Sequence, residues 1–176
     1  MDIIFIRHTS VNVPKGTCYG RTDVPLNDTF EQEAAVTKKN LMEYGKFDAV
    51  FSSPLTRTRK LAEYCGYPSP TIDNRLKEMS MGDWEMRKFD EIKDKELQEW
   101  YDDYMHAATK NGESFPVLYA RVAAFLDEIR LNSYKRVSVF AHGGVMMCAG
   151  IYGGLFPKND CFKHLVPYGG IMKISV

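Results

Sequence analysis

The sequence predicts an α/β fold in which helices cover both faces of a mainly parallel sheet. Short runs of β-branched and aromatic residues alternate along the chain with longer segments of helical periodicity. Strands that alternate with helices in this way pair in parallel and need a helical layer on each face. The chain has 176 residues, 44% hydrophobic and 26% charged, which is typical of a globular protein with a sizeable core. We therefore expect a single domain over residues 1–176.

The first elements are a strand, a long loop and a helix. Residues 2–6 have the composition of a buried strand, and residues 29–44 repeat apolar side chains at helical spacing. Between them, residues 9–28 are rich in Gly, Pro, Asn, Asp and Thr, which predicts a loop. A loop of this length in a compact domain is usually functional.

The next elements are a second buried strand at 47–51 and a helix that ends near Tyr64. Ser53 is the expected N-cap of this helix, and Pro54 suits its first position. A short edge strand is expected at 71–73, after two prolines.

The second half of the chain predicts two helices, a strand, a helix and a last strand. A charged helix is expected over 87–106, and a more apolar helix over 115–131. Residues 137–141 then predict a buried strand, a helix follows Gly144, and residues 171–176 form the last strand.

Charge and composition limit the classes of partner. Lysine plus arginine (23) balances aspartate plus glutamate (23), so the chain has no basic footprint for nucleic acid or an anionic membrane. Residues 137–156 carry no charge, but glycines and His142 interrupt them, which favours strand, turn and helix over a membrane span. The four cysteines show no zinc-binding spacing, and the N-terminus lacks a signal-peptide pattern. We expect a cytoplasmic protein with reduced thiols.

Two histidines directly follow predicted strands. His8 follows the strand at 2–6, with Arg7 beside it, and His142 follows the strand at 137–141. In open α/β sheets, ligands bind just outside the carboxyl ends of the strands. The two imidazoles are therefore expected in one crevice, and Arg7 indicates an anionic ligand. The alternatives are an arginine paired with a carboxylate and histidines that simply pack in the core.

Further polar residues recur at similar positions. Arg57 lies near the start of a predicted helix, where the N–H groups and the dipole favour anions, and its guanidinium can hold two phosphate oxygens. Gly143 and Gly144 allow a sharp turn after His142 and leave N–H groups free to face a ligand. Glu78, if it lies near a cationic pocket, can donate a proton to a leaving oxygen. The alternatives are that Arg57 is an ordinary surface arginine and that Glu78 is a turn carboxylate on the surface.

These residue types suit phosphoryl transfer, in which catalysis is mainly positioning and charge stabilisation. Neutral imidazole is a good nucleophile near pH 7 because its reference pKa is about 6.5. It can form a covalent phosphoryl intermediate that water then hydrolyses. No cluster of aspartates or cysteines indicates a metal, and the arginines would repel a cation bound between the histidines.

Five motifs occur in a defined order along nearly the whole chain. They are Arg7-His8-Thr9, Ser52-Ser53-Pro54-Leu55-Thr56-Arg57, Leu76-Lys77-Glu78 with Gly82-Asp83-Trp84-Glu85, Gly112-Glu113-Ser114, and Ala141-His142-Gly143-Gly144. This ordered set resembles the histidine phosphatase superfamily, the phosphoglycerate-mutase-like group. The resemblance implies a three-layer α/β/α sandwich and no metal or other cofactor.

The resemblance also implies roles for individual residues. His8 is expected to be the phosphorylated nucleophile, and Arg7, Arg57 and His142 are expected to form the phosphate pocket. Glu78 is expected to donate a proton to the leaving group and later to help activate water. The sequence departs from the family pattern after His8 and after the Trp-Glu pair, so the loop contacts are less closely matched than the catalytic core.

Thr9 and the segment from Gly16 to Leu26 look like the corresponding parts of α-ribazole phosphatases. Those enzymes remove the 5′-phosphate from α-ribazole phosphate or from the phosphorylated cobalamin precursor. The likeness implies a small phosphate ester as substrate. The expected substrate contacts outside the phosphate pocket are Asn12, Tyr19, Gly20, Arg21, Thr22 and Gly143.

Four alternatives stay open at this point. They are a broad-specificity phosphatase, a phosphoglycerate mutase, a protein phosphatase and a non-catalytic module that binds phosphorylated ligands. Mutases of the family carry additional segments that enclose the site, and this short chain has little room for them. A non-catalytic module is disfavoured because both His8 and Glu78 are present. The oligomeric state cannot be deduced from the sequence.

Overall fold

The computed structural model describes residues 1–176 and contains one five-stranded sheet with five α-helices. The strands are β1 (Asp2–Arg7), β2 (Ala49–Ser52), β3 (Thr71–Ile72), β4 (Arg136–Ala141) and β5 (Ile171–Ser175). The helices are α1 (Phe30–Met42), α2 (Thr56–Tyr64), α3 (Lys95–Asp102), α4 (Phe115–Ile129) and α5 (Gly143–Tyr152). Short 3-10 segments lie at Asn74–Leu76, Gly82–Trp84, Phe89–Glu91 and Lys158–His164.

The strand order is β3-β2-β4-β1-β5, and every pair is parallel except β1 with β5. The register of the two central strands places Arg7 opposite Ala141. The residues that follow them, His8 and His142, therefore leave neighbouring strands at the same edge of the sheet. This register creates the crevice that the sequence predicts.

Alternation along β1 sends side chains into two cores. Ile3 and Phe5 pack with α4 and α5 on one face, while Ile4 and Ile6 pack with α1 and α2 on the other. Because side chains of a strand point alternately to opposite faces, one apolar run can fill both layers. The predicted three-layer α/β/α arrangement is confirmed.

The predicted helix over 87–106 is wrong in its first half, because α3 begins only at Lys95. Backbone groups before it bond to the long loop instead: Cys18 N–H donates to Arg87 C=O, and Phe89 N–H donates to Gly16 C=O. These bonds use groups that a helix would need for its own ladder. The loop therefore competes successfully with the local helical propensity.

The predicted N-cap at Ser53 is also wrong. Helix α2 begins at Thr56, whose N–H and hydroxyl both donate to the Asp23 carboxylate, at 2.9 and 2.5 Å. A carboxylate from the long loop thus caps this helix from outside, where an anionic ligand was expected to meet the helix terminus. Ser53 therefore lies before the helix, and its side chain is available to contact a residue of the site.

The uncharged stretch from residue 137 to residue 156 contains strand β4 and helix α5, as predicted. None of the helices has both the length and the apolar character that a bilayer crossing requires. All four cysteines are buried free thiols. The predictions of a single domain and of a cytoplasmic location stay predictions.

Candidate active site

The two predicted imidazoles meet at the carboxyl ends of β1 and β4. The ring centroids of His8 and His142 lie 5.2 Å apart, with the planes inclined at 61°. His8 is 3% exposed and His142 is fully buried. The structure therefore brings together two histidines that are separated by more than 130 positions in the chain.

His8 is held in one tautomer and kept neutral. Its Nδ1 lies 2.7 Å from the carbonyl oxygen of Thr9, which can only accept, so Nδ1 carries the proton and Nε2 keeps its lone pair. Burial, together with the positive charges of Arg57 and Arg7, lowers the pKa of His8 to about 3. At neutral pH the ring is therefore a neutral imidazole with a free nucleophilic nitrogen.

His142 is the second neutral imidazole. Burial and the positive charge of Arg57 lower its pKa well below the ordinary value of 6.5. Its Nε2 pairs with the Ser53 hydroxyl at 2.8 Å, and its Nδ1 has no hydrogen-bond partner. The Ser53 oxygen also accepts the Leu55 N–H, and in the tautomer in which the Ser53 hydroxyl donates to Nε2, His142 Nδ1 is a free N–H donor.

Two guanidinium groups border the imidazoles. Arg57 is fully buried, and its terminal nitrogens donate to the carbonyls of Thr22 and Gly20 at 2.8 and 2.6 Å. Arg7 donates to the carbonyl of Val166 and lies 4.2 Å from the centroid of the Tyr168 ring. Neither arginine forms an ion pair with a carboxylate. Both charges are therefore available to an anionic ligand.

Three buried nitrogens of this cluster lack partners: the donors Arg7 Nε and Arg57 Nε, and His142 Nδ1, which is a donor in that tautomer. Buried polar groups in folded proteins are nearly always hydrogen-bonded, and an unpaired donor costs about 1–3 kcal/mol. An anion with several acceptor oxygens, such as a phosphoryl group, would satisfy such donors together. The unpaired donors are the strongest structural argument for a phosphate pocket at this position.

Glu78 lies at the edge of the same crevice and contacts the first turn of α5. One carboxylate oxygen accepts the N–H of Gly144 at 3.0 Å, and the other accepts the N–H of Met79 at 2.9 Å. A Cβ at position 144 would lie 2.4 Å from the nearer Glu78 oxygen, so a larger residue there would displace the carboxylate from this position. The expectation that the two glycines leave their N–H groups free is wrong for Gly144, whose N–H belongs to Glu78.

A cavity of about 220 Å³ opens beside the carboxylate, and its polar edge is Arg7, Glu78, Gly143 and Gly144. Apolar and aromatic side chains dominate the rest of its wall: Tyr19, Met79, Met81, Trp100, Phe115, Leu118, Met147, Phe162 and Leu165. The cavity therefore has room and suitable chemistry for an apolar leaving group.

The expected contacts from the long loop divide into four groups. Tyr19 lines the cavity, and its hydroxyl bonds to that of Tyr168 at 2.8 Å. Gly20 and Thr22 lie behind Arg57, whose guanidinium their carbonyls hold. Arg21 pairs with Glu113 at 2.8 Å. The Asn12 side chain is exposed and has no hydrogen-bond partner, so its contact with substrate stays a prediction.

The sequence did not predict the role of Ser53, which contacts the second imidazole, or of Glu113 and Arg121, which support Glu78. Arg121 donates to the carbonyls of Lys77 and Glu78, at 2.6 and 3.0 Å, and pairs with Glu113 at 2.9 Å. Ser53 and Glu113 do lie in the motifs that carry the resemblance. Arg121 gave no signal, because it lies within the periodic pattern of a predicted helix.

Neutral imidazoles at strand ends, unpaired cationic donors and a nearby carboxylate are features of α/β enzymes that act on phosphate esters. The profile of the histidine phosphatase superfamily (branch 1) matches residues 3–174, so the chain belongs to that superfamily. It is a phosphatase, and its substrates are expected among small phosphate esters.

Individual relatives agree with this assignment. The chain is 30% identical over 155 residues to the adenosylcobalamin/alpha-ribazole phosphatase of Salmonella typhimurium, covering 83% of this chain and 76% of that protein. It is 31% identical over 157 residues to phosphoglycerate mutase-like protein 4 of Arabidopsis thaliana, covering 82% of this chain and 67% of that protein. The alpha-ribazole phosphatase of Shigella flexneri has the same fold, with a TM-score of 0.85 and 24% identity over 100% of this chain and 91% of that chain.

No group of three or more His, Cys, Asp or Glu side chains is arranged to hold a metal ion. The expectation of a reaction without a metal stays a prediction, since this observation concerns only the protein's own ligands.

Proposed function

We propose that the protein hydrolyses α-ribazole 5′-phosphate, or the phosphorylated cobalamin precursor, through a phosphohistidine at His8. Two observations support this substrate: the likeness to an adenosylcobalamin/alpha-ribazole phosphatase and the apolar wall of the cavity beside Glu78. An aromatic base attached to a ribose suits such a wall better than the small, charged body of a phosphoglycerate.

In the first half of the reaction, the lone pair of His8 Nε2 attacks phosphorus, and the bond from phosphorus to the ester oxygen breaks. Arg7, Arg57 and His142 hold the peripheral oxygens of the phosphoryl group, on which negative charge is concentrated. Glu78, in its protonated form, gives its proton to the leaving oxygen. The alcohol leaves, and a phosphohistidine remains.

In the second half, water attacks the phosphohistidine, and the Glu78 carboxylate accepts the water proton. The bond between His8 Nε2 and phosphorus breaks, which returns the lone pair to the imidazole and releases inorganic phosphate. Because His8 is neutral before and after the cycle, its low pKa suits this mechanism.

A direct comparison of substrates tests the proposed assignment. We expect kcat/KM for α-ribazole 5′-phosphate to exceed that for 3-phosphoglycerate, sugar phosphates and nucleotides by at least about tenfold, a difference of about 1.4 kcal/mol. Trp100→Ala enlarges the apolar cavity and should lower kcat/KM for the aromatic ester more than for 3-phosphoglycerate. A preference for any other ester, or equal losses in the variant, would refute the proposed substrate.

Phosphoglycerate mutase activity beside the phosphatase activity is the second candidate, since the chain is also similar to a phosphoglycerate mutase-like protein. The two activities differ in product. A phosphatase releases inorganic phosphate from 3-phosphoglycerate, whereas a mutase converts it to the 2-isomer and keeps the phosphoryl group. Measuring both products in one reaction decides between them.

A further inference from the structure

Glu85 makes more hydrogen bonds to the long loop than any catalytic candidate. It follows the 3-10 segment Gly82–Trp84, and its carboxylate accepts the N–H groups of Gly20, Arg21 and Thr22 at 3.0, 2.8 and 3.4 Å. The Thr22 hydroxyl donates to it at 2.7 Å, and the Met81 N–H donates at 3.1 Å. These donors converge on one side chain and fix the path of residues 20–22.

The opposite side of the same turn holds Arg57. The N–H groups of residues 20–22 face Glu85, while the carbonyls of Gly20 and Thr22 accept from the two terminal nitrogens of Arg57. A Cβ at position 20 would lie 1.8 Å from the Met79 carbonyl oxygen and 3.2 Å from Glu85, so glycine is needed for this close packing. The turn is thus clamped between a carboxylate and a guanidinium.

This arrangement orients Arg57 without neutralising it. Peptide carbonyls take its two terminal nitrogens, no carboxylate pairs with it, and its Nε stays unpartnered. Burial opposes ionisation of Glu85, but hydrogen bonds from Thr22 and from the backbone lower its pKa overall. The negative charge that shapes the turn is therefore present at neutral pH, yet separated from Arg57 by one layer of backbone.

We propose that Glu85 is a positioning residue for phosphate binding, which acts by folding residues 20–22 into the turn that holds the Arg57 guanidinium. The inference rests on the proposed role of Arg57 in the phosphate pocket. It does not depend on the identity of the ester.

Glu85→Gln is the first test. Both oxygens of the Glu85 carboxylate accept N–H groups, so the amide nitrogen of glutamine faces a donor in either orientation. We expect the Kd for orthovanadate, measured by calorimetry, to rise about tenfold, because a half-buried carboxylate that accepts charge-assisted hydrogen bonds is lost. Asp94→Asn is the matched control: Asp94 accepts from the indole of Trp84, next to Glu85, but does not touch residues 20–22. This control should change the Kd less than twofold.

A double-mutant cycle with Arg57→Met tests whether Glu85 affects vanadate binding through Arg57. If Glu85 acts through Arg57, Glu85→Gln should cause less than a twofold further change in the Arg57→Met background. Another tenfold loss in that background, or an unchanged Kd in the single variant, would overturn the inference.

Thr22→Val is a milder variant for the case in which Glu85→Gln does not fold. It removes one donor to the carboxylate and leaves the rest, so we expect a two- to threefold rise in Kd that also disappears in the Arg57→Met background. Orthovanadate needs no turnover, so a failure of the proposed substrate leaves this test intact. Normal α-ribazole 5′-phosphate hydrolysis with an unchanged vanadate Kd would refute the inference alone.

Discussion

The two sides of the active site are built in different ways. The phosphate side starts from β1 and β4, whose paired register places His8 and His142 next to each other. On the leaving-group side, Glu78 and Tyr19 lie in loop segments, and hydrogen bonds to Gly144 and Tyr168 hold them in place. Sheet register therefore fixes the nucleophile, whereas the proton donor depends on contacts between segments far apart in the chain.

The Glu113 and Arg121 pair is the clearest example of such a contact. Arg121 donates to the carbonyl of Glu78, and Glu113 accepts the Ser80 N–H at 2.8 Å. Both side chains are largely buried, with exposures of 12% and 15%. Because the bonded groups are backbone atoms of Glu78 and Ser80, the pair fixes the loop rather than the carboxylate itself.

Glu78→Gln should give the largest loss of catalytic rate and the clearest distinction between the two sides. Glutamine keeps the shape of the side chain but cannot donate a carboxyl proton. We expect kcat to fall by about 10²–10⁴ for esters with poor leaving groups, the usual contribution of general acid catalysis. With p-nitrophenyl phosphate, whose leaving group needs no proton, the first step should be far less affected. Equal losses for both substrates in single-turnover measurements would contradict the assigned role.

His142→Ala should affect the phosphate side without this dependence on the leaving group. It removes one donor to the phosphoryl oxygens, which typically lowers the rate by about 10²–10³. The loss in kcat/KM should be the same for alkyl and p-nitrophenyl esters, with circular dichroism to verify folding. A loss confined to poor leaving groups would place His142 on the other side of the site.

The pH dependence of stability tests the environment of the phosphate side. The pKa of His8 is about 3 in the folded protein and about 6.5 when unfolded, so between these values only the unfolded chain binds the proton. The free energy of unfolding should therefore be unaffected by this group above pH 6.5 and fall by up to about 1.4 kcal/mol per pH unit below it. Denaturant titrations of wild type and His8→Asn between pH 6 and pH 4.5 should show a smaller slope in the variant. Identical slopes would mean that His8 titrates normally.

Asn12→Ala gives the smallest expected effect. The predicted contact of Asn12 with substrate involves an exposed side chain that makes no hydrogen bond in the structure, so its loss should lower kcat/KM for α-ribazole 5′-phosphate only about twofold. A tenfold loss would show that the loop closes over the bound ester and brings Asn12 into contact with it.

The sequence alone predicted most of the fold and the meeting of His8 and His142 at one edge of the sheet. Strand ends are marked locally by apolar runs, so His8 and His142 could be located before the structure was known. The helix over 87–106 and the cap at Ser53 were wrong because backbone and side-chain groups of the long loop form the competing bonds. Such pairings join residues far apart in the chain, and no local pattern indicates them.

Trapping of the phosphoenzyme tests the central claim most directly. Rapid acid-free quenching after mixing with ³²P-labelled ester should leave label on His8, with a linkage that is labile in acid and stable in base. His8→Ala should show neither label nor turnover while it retains the wild-type fold. Turnover without any labelled histidine, or substantial activity in His8→Ala, would contradict the account.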